Sequence, residues 1–289
     1  SQILNELQEK NTSLLEKRDL LQSKIDQWHA ENKRIDLQSY KKFLEGIEYI
    51  TPMPDKFSID VEEVDDEISQ IAGPQLVVPI TNQRFVLNAV NARWGSLFDS
   101  LYGTNVIPNK GSMSTSFAHN LQRVNLTAEL ACDFLDEIVP LKGASYRQIT
   151  SQVKYSGALI FNLNDGELAT LINPEKYIGL TDDGHILLKN NNLHLEVVCD
   201  QERSLHKSGI FDVILESAIT TIVDFEDSAS TVSNAEKIHA YRNYLGLMKR
   251  ELSTTFTKGG ETITRSLNED KVCTDIHGEK FSLAGTSLT

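Results

Sequence analysis

The sequence has 289 residues, of which 40% are hydrophobic and 24% are charged, a composition typical of a folded globular protein with one to three domains. Its 28 Lys and Arg residues are outnumbered by 41 Asp and Glu residues, and the formal net charge of −13 argues against a nucleic-acid-binding surface. No apolar run approaches the about 18–20 residues that span a bilayer, and we expect no membrane segment.

The three cysteines, Cys132, Cys199 and Cys273, are far apart in the sequence. They form neither a CxxC pair nor a disulfide framework, which favours a reducing compartment such as the cytoplasm. The chain begins without an initiator Met and without a signal peptide. It starts inside a helical pattern and ends as abruptly at Thr289, which is typical of a fragment or a processed product.

Two helical patterns occupy the N-terminal part of the chain. Ser13 and Glu16 stand at capping-box spacing, which predicts a helix start, and the apolar residues that follow at helical spacing are Leu14, Leu21, Ile25 and Trp28. A second amphipathic helix is predicted at residues 40–47. Because neither has the basic polar face of a membrane-binding or calmodulin-binding helix, we expect the two to pack as a hairpin. The acidic residues 59–72 should form a loop or a short strand.

Two strand-and-helix pairs are predicted further along. Residues 76–80 form a short apolar run rich in β-branched residues, which indicates a buried strand, and one helix is expected over residues 84–102, ending at Gly103. Residues 212–219 are interpreted as a helix, and the second pair comprises a buried strand at 220–226 and a helix at 235–252. Such pairs are typical of β/α architectures.

A mainly antiparallel β region is predicted between these pairs, after a helix at residues 119–139. The turn signals are Asn164-Asp165-Gly166, Asp182-Asp183-Gly184 and Asn190-Asn191-Asn192. The C-terminal segment returns to β structure, with a turn expected at His277-Gly278.

Asp224 and Glu226 form the most informative cluster of polar residues. Strand alternation would place both carboxylates on one face, at the C-terminal end of a buried strand, and ligands bind at that end in β/α proteins. The pair could hold a guanidinium, orient a metal-bound water or take part in acid–base chemistry. A solvated acidic turn after a strand is the structural alternative.

Three arginines are candidates for binding phosphate. Arg84 and Arg93 flank the start and the middle of the predicted 84–102 helix, and Arg265 lies in a β segment. An ordinary surface ion pair is the alternative for each. The seven histidines show no HxH or HExxH pairing, and the sequence has no GxSxG, GxGxxG or P-loop motif, which argues against zinc, serine-hydrolase and classical nucleotide sites.

Several longer stretches resemble the malate synthase G family. The most specific is Asn91-Ala92-Arg93-Trp94-Gly95-Ser96-Leu97-Phe98-Asp99-Ser100-Leu101-Tyr102-Gly103-Thr104. The others are Gln75-Leu76-Val77-Val78-Pro79, Ile186-Leu187-Leu188-Lys189-Asn190-Asn191, Asp212-Val213-Ile214-Leu215-Glu216-Ser217-Ala218-Ile219, Glu226-Asp227-Ser228 and Tyr241-Arg242-Asn243-Tyr244-Leu245-Gly246-Leu247-Met248. They occur in the family's order and cover essentially the whole chain.

The resemblance implies an α/β fold: a partial (β/α)8 TIM barrel containing the first two β/α units, an N-terminal helical clasp and an inserted mainly-β domain. It assigns part of the clasp to 1–74, the first unit to 75–103, the inserted domain to 104–210, the second unit to 211–250 and a return segment of the inserted domain to 251–289. The implied enzyme is an acyltransferase of the glyoxylate bypass. It condenses acetyl-CoA with glyoxylate and water to malate and CoA, uses Mg²⁺ and is a monomer.

Family roles carry over to individual positions. Val77, Arg84, Phe85, Ser228 and Arg265 match acetyl-CoA contacts. Asp224 matches an acid that orients the catalytic arginine, and Glu226 one that supports the magnesium shell through water. Phe85 and Phe98 stand where a tyrosine is common, so hydroxyl contacts are not expected there.

The family's catalytic arginine, direct Mg²⁺ ligands, general base and C-terminal plug correspond to positions beyond Thr289. The chain alone is therefore expected to be inactive, since the condensation needs a base at the acetyl methyl group and a cation at the glyoxylate carbonyl. The alternative function is a non-catalytic binding module formed by the inserted β domain.

Overall fold

The structure is a computed structural model that describes residues 2–59, 61–115, 120–155 and 157–288. The chain divides into two compact units, Ser1–Glu62 and Glu63–Thr289. The predicted domain boundaries at 74, 103, 210 and 250 stay predictions.

The first unit contains helices α1 (Gln2–Glu31) and α2 (Leu37–Gly46). The Trp28 ring on α1 lies 4.6 Å from the Tyr40 ring and 5.6 Å from the Phe43 ring on α2, centroid to centroid, which confirms the predicted packing of the two helices. The predicted helix start at Ser13 is wrong. Helix α1 runs through this position, and the Ser13 hydroxyl donates back to the Lys10 carbonyl instead of capping a new helix.

In its described residues, the second unit combines five α-helices with four sheets of two to seven strands. Its helices are α3 (Asp66–Ser69), α4 (Gln83–Asn91), α5 (Leu97–Gly103), α6 (Leu121–Ile138) and α7 (Asn234–Met248). Its first strands are β1 (Gln75–Pro79), β2 (Trp94–Ser96), β3 (Ile149–Tyr155), β4 (Ala158–Leu163), β5 (Leu168–Thr170), β6 (Tyr177–Thr181) and β7 (Ile186–Asn190). The later strands are β8 (Leu193–Cys199), β9 (Ile210–Glu216), β10 (Thr220–Asp224), β11 (Ser253–Lys258), β12 (Glu261–Ser266), β13 (Lys271–Asp275) and β14 (Lys280–Leu283).

An antiparallel seven-stranded sheet forms the largest layer, in the order β14-β13-β6-β7-β8-β9-β2. Ala131 and Leu135 of α6 belong to the same buried core as Leu188 of β7 and Val213 of β9. A separate antiparallel sheet, β3-β4-β5, adds Phe161 to that core. The predicted antiparallel β region is thus confirmed, and so is the preceding helix, since α6 lies close to the predicted 119–139 range. His119 itself lies outside the described residues.

Strands β1 and β10 form a parallel pair, with Val77 opposite Ile222. Helices α4 and α7 cover one face of this pair through a second core that includes Val78, Leu87 and Leu247. The side chains of Val77 and Ile222, on the other face, are 63% and 47% exposed. The two predicted strand-and-helix pairs therefore meet as one parallel β/α layer with an open apolar face.

The predicted single helix over residues 84–102 is wrong. Helix α4 ends at Asn91, and the chain then forms the short strand β2 before α5 begins. Strand β2 pairs with β9, and a Cβ atom at Gly95 would lie only 2.7 Å from the Ser217 hydroxyl oxygen, so a larger residue there would require the Ser217 side chain to move. The Ser96 hydroxyl accepts the Asp99 N–H and starts a new helix.

The predicted helix over residues 212–219 is also wrong, because this segment belongs largely to β9. Val213 pairs with Val197 of β8 on one side, and Glu216 pairs with Trp94 of β2 on the other. A short apolar run shows neither the clear 3.6-residue period of a helix nor the two-residue period of a strand. The sequence alone therefore does not distinguish a buried helix from a strand with neighbours on both sides.

All four predicted turns are confirmed. Residues 164–166 join β4 to β5, 182–184 join β6 to β7, and 277–278 lie between β13 and β14. Between β7 and β8, Asn191 and Asn192 have φ angles of 50° and 64°, a left-handed pair suited to a two-residue hairpin turn.

A buried ion cluster links the β/α layer to the large sheet. Arg93, between α4 and β2, donates from Nε and Nη2 to Oε1 of Glu216 at 3.1 and 3.0 Å, and from Nη1 to Glu67 of α3 at 2.7 Å. The other Glu216 oxygen, Oε2, lies 2.8 Å from both the backbone nitrogen and Nδ1 of His194. Burial acts to raise the pKa of Glu216, but the hydrogen bonds from His194 and the charge of Arg93 outweigh it and leave that pKa lowered.

Replacing Glu216 with Ala is expected to lower the free energy of unfolding by about 3–5 kcal/mol, because Arg93 would keep a buried charge while losing its main partner. Urea unfolding followed by circular dichroism measures the change. The matched control is Lys280→Ala, which removes an exposed ion pair to Asp182 and should change stability by less than about 1 kcal/mol. Equal effects of the two substitutions would contradict the structural role of the cluster.

Candidate functional site

The C-terminal ends of β1 and β10 form one edge of the β/α layer. The Ile80 N–H, just after β1, donates to the Asp224 carbonyl at the end of β10. Asn82 then caps α4 by accepting the Phe85 N–H, so that Arg84 lies in the first turn of the helix. The sequence prediction that the acids follow a strand at the ligand-binding edge of a β/α unit agrees with this placement.

Buried Asn243 of α7 holds the strand-to-helix turn in place. Its Nδ2 donates to the Ile80 carbonyl at 3.0 Å, and its Oδ1 accepts from Gln83 Nε2 at 2.8 Å. This amide therefore connects the end of β1, the start of α4 and α7. No motif in the sequence marked Asn243 as a positioning residue.

The Asp224 carboxylate closes the loop that follows β10. Its Oδ1 accepts the N–H groups of Glu226 and Asp227, and its Oδ2 accepts the N–H and the hydroxyl of Ser228. The hydroxyl bond from Ser228, followed by the backbone bonds, lowers the pKa of Asp224 to about 2. The carboxylate is thus ionised and fully engaged by its own loop.

The predicted shared strand face for Asp224 and Glu226 is wrong. Strand β10 ends at Asp224, and the chain turns immediately, so strand alternation does not extend to Glu226. Glu226 is exposed at the same edge. The acidic-turn interpretation is therefore correct for the local backbone, while Glu226 remains available to a ligand.

Arg84 and Arg265 meet at one aromatic ring. The guanidinium carbons of Arg84 and Arg265 lie 4.1 and 5.7 Å from the centre of the Phe256 ring. Phe256 is on β11, and Arg265 on β12 pairs with Thr254, two residues before Phe256, so both side chains project from the same face of the hairpin. Arg265 Nη1 also donates to Asn88 of α4 at 2.6 Å.

This Arg84–Phe256–Arg265 cluster has an unbalanced positive charge. In the part of the chain that the structure describes, no carboxylate lies within 4.0 Å of either guanidinium, which disfavours the surface ion-pair interpretation of both. Two close guanidiniums without acidic partners are suited to an anion such as a phosphate. The alternating polar and apolar residues of 253–266 are typical of strands and would have suggested that Phe256 packs on one face of a hairpin. Nothing local in the sequence indicated that this face contacts α4.

In the described part of the chain, the side chains of the remaining predicted site residues form no hydrogen bond or ion pair with the Arg84–Phe256–Arg265 cluster. Arg93 is not a phosphate ligand, because Glu216 and Glu67 occupy its guanidinium inside the protein. Ser228 is bonded to Asp224, and Val77 and Phe85 are exposed. The structure therefore brings together Arg84 with Arg265 and Asp224 with Ser228, and places Val77 on the open face of β1.

Among residues 2–59, 61–115, 120–155 and 157–288, no group of three or more His, Cys, Asp or Glu side chains is arranged to hold a metal ion. The described helices include none with the length and hydropathy needed to cross a membrane.

The fold defines a β/α protein in which an antiparallel domain is inserted between the two parallel strands β1 and β10. At the C-terminal ends of these strands lie the Arg84–Phe256–Arg265 cluster and the loop closed by Asp224. Consistent with this class, residues 119–190 match the family described as malate synthase G, alpha-beta insertion domain.

Similarity extends over almost all of the chain. It is 43% identical to malate synthase G of Halalkalibacterium halodurans, 41% to that of Corynebacterium efficiens and 42% to that of Corynebacterium glutamicum, with 99% of this chain aligned in each case. The alignments cover 41%, 39% and 40% of those proteins. The resemblance found in the sequence is thereby confirmed, and the chain spans about two-fifths of the length of the curated relatives it matches.

Replacing Ser228 with Ala should raise the pKa of Asp224 from about 2 toward 3.8, because it removes the hydroxyl that stabilises the carboxylate most. The pKa is measured by NMR titration of the side-chain carboxyl. Since the folded pKa is lower than the unfolded one, the stabilisation from Asp224 is present above about pH 4 and is lost as the pH falls toward 2.

Ser230→Ala, at an exposed serine in the same loop, is the control and should leave the Asp224 pKa unchanged. An Asp224 pKa near 3.8 in the unmodified protein would show that the loop does not hold the carboxylate in this way.

Proposed function

We propose that this chain supplies part of the acetyl-CoA site of a malate synthase. The observation that carries the proposal is the Arg84–Phe256–Arg265 cluster, where two guanidiniums without acidic partners lie at the ligand-binding edge of a β/α layer. CoA carries several phosphate oxygens, and arginine binds such groups through charge-assisted hydrogen bonds. The names of the relatives support acetyl-CoA as the source of these phosphates.

The remaining predicted contacts complete this half-site in our proposal. Val77 and Phe85 are exposed, as a contact with a large ligand requires, and Ser228 lies in the loop closed by Asp224. We further propose that β1–α4 and β10–α7 are the first two units of a (β/α)8 barrel. Residues 1–74 would then form part of its helical clasp.

The apolar face of Val77 and Ile222 supports the barrel proposal. Barrel strands bury their inward-facing side chains against neighbouring strands, whereas here both side chains are largely exposed. Further strands would cover that face in the whole protein. We also propose that the whole protein is a cytoplasmic monomer.

In the proposed reaction, a base removes a proton from the acetyl methyl group, and the resulting carbon nucleophile attacks the glyoxylate carbonyl. A magnesium ion would polarise that carbonyl and stabilise the developing negative charge. The described residues contain no direct ligand set for it, and no step of the proposal depends on magnesium held by this chain. Glu226 would approach such an ion through water, and Asp224 would orient the catalytic arginine through its loop.

The alternative proposal is a non-catalytic module formed by the inserted β domain. The similarity to malate synthase G is not confined to that domain but covers 99% of the chain, including the Arg84 and Asp224 regions. The enzymatic proposal is therefore the better supported of the two.

Arg84→Gln and Arg265→Gln should each weaken CoA binding about 10-fold or more, since each removes a charged donor to phosphate. Isothermal titration of the purified chain with acetyl-CoA measures the affinity. Arg242→Gln is the control, because it removes an equal charge from an exposed position on α7. An unchanged affinity in both site variants, with binding by the parent chain intact, would refute the proposed phosphate contacts.

The chain by itself is expected to form no malate from acetyl-CoA and glyoxylate, because its described residues include no group arranged to hold a metal ion. The resemblance also assigns the family's base to a position that this sequence does not contain. Activity should appear when it is mixed with a separately produced C-terminal part of a related malate synthase. Release of CoA thiol measures the reaction. Malate formation by the chain alone would contradict the expectation, and failure to gain activity despite complex formation would favour the stand-alone module.

A further inference from the structure

A pocket of about 730 Å³ opens between α5, the first part of α6 and the segment that joins β8 to β9. It shares no residue with the Arg84–Phe256–Arg265 cluster or with the loop of Asp224. Small-molecule sites are commonly about 300–1,000 Å³ in volume, so the pocket is large enough for an organic ligand.

The walls of the pocket are mainly apolar. Phe98 and Tyr102 come from α5, Val124 and Ala128 from α6, and Phe211 from β9. Leu121 and Leu205 also line the pocket, although both side chains are more than half exposed. Exposed leucines beside aromatic walls are suited to the apolar part of a ligand.

Arg203 provides a cationic group at this pocket. Its guanidinium carbon lies 4.1 Å from the centre of the Phe211 ring, which holds the charged group against one wall. Arg203 Nε and Asp200 Oδ2 lie 3.8 Å apart, which is within ion-pair distance but too far for a hydrogen bond. The other oxygen, Asp200 Oδ1, accepts the N–H groups of Glu202 and Arg203. The Arg203 side chain therefore retains donors for a ligand.

His206 provides a second donor. Its Nδ1 lies 2.8 Å from the Ser208 hydroxyl and accepts the Ser208 N–H at 3.3 Å, which places the ring proton on Nε2. Within the described ranges no residue accepts a hydrogen bond from Nε2. Burial lowers the pKa of His206 and so favours the neutral ring with an Nε2–H donor.

Two acids, Asp212 and Asp99, line the same pocket, and local hydrogen bonds engage the first of them. Asp212 Oδ1 accepts the N–H groups of Phe98 and Val213, and burial raises its pKa, which disfavours its charge. Asp99 is exposed in the first turn of α5, where the helix N-terminus favours a negative side chain. Among the charged and imidazole side chains of the pocket, Arg203 and His206 offer donors to a ligand, and Tyr102 adds a hydroxyl.

We propose that this pocket is a second ligand site, which binds a small amphipathic carboxylate. The apolar part of the ligand packs between Phe98, Tyr102 and Phe211. The carboxylate accepts hydrogen bonds from Arg203 and His206. Because the two sites share no residue, the proposal stands independently of acetyl-CoA binding.

The test titrates the ¹⁵N-labelled chain with 3-phenylpropionate, 3-phenylpropylamine and 3-phenylpropanol, which share one carbon skeleton and differ in their polar group. The acid should bind with a dissociation constant on the order of 1 mM, as expected for a ligand of about eleven heavy atoms. Its amide shifts should centre on the pocket residues. The amine and the alcohol should bind roughly tenfold more weakly, because neither makes two charge-assisted hydrogen bonds.

Arg203→Gln should reduce the affinity for the acid to that for the alcohol, whereas Arg242→Gln should leave it unchanged. Val124→Trp should fill the pocket and abolish binding of all three probes, with circular dichroism confirming that the variant is folded. The site proposal fails if the acid produces no localised shifts at about 10 mM, well above the expected dissociation constant. Equal or tighter binding of the amine, or no effect of Arg203→Gln, overturns the carboxylate assignment.

Discussion

The buried carboxylate of Glu216 is the contact on which the arrangement of the second unit depends. One of its oxygens binds Arg93, next to the β/α layer, and the other binds His194 in the large sheet. A buried charge tolerates little displacement of its partners, because loss of any one leaves a desolvated ion. The cluster therefore restricts how the inserted sheet meets the parallel strands, and Arg93 is used for architecture instead of ligand binding.

Near Arg93, hydrogen bonds also connect the C-terminal residues 284–287 with the end of α4 and the start of β2. Arg93 Nη1 approaches the Thr286 carbonyl, Trp94 Nε1 donates to the Ala284 carbonyl, and the Ser287 N–H donates to the Val90 carbonyl. The C-terminal segment is thereby held along the end of α4, and the β11–β12 hairpin that precedes it lies close enough for Arg265 to bond Asn88. Arg84 and Arg265 thus lie at the same ring because the chain returns to α4 after the large sheet.

The sequence predicted features that depend on local chemistry. It predicted β1, β10, α6 and the hairpin turns, because β-branched runs, helical spacing and Asn-Asp-Gly turns act within a few residues. It mistook β9 for a helix and missed β2, whose existence depends on pairing partners distant in sequence. The proximity of Arg84 to Arg265 was implied only by the family resemblance, since a hairpin packing against α4 has no local signature. The sequence-based prediction also placed Asp224 and Glu226 on one strand face, because strand alternation takes no account of the turn that begins directly after Asp224.

An experimental structure of this chain with bound acetyl-CoA tests the central claim most directly, namely that the folded β/α layer places Arg84 and Arg265 together as a phosphate site. Phosphate density should lie within hydrogen-bonding distance of at least one nitrogen of each guanidinium, beside Phe256, with the Arg93–Glu216 contact intact. Bound acetyl-CoA with its phosphates away from both arginines would contradict the account.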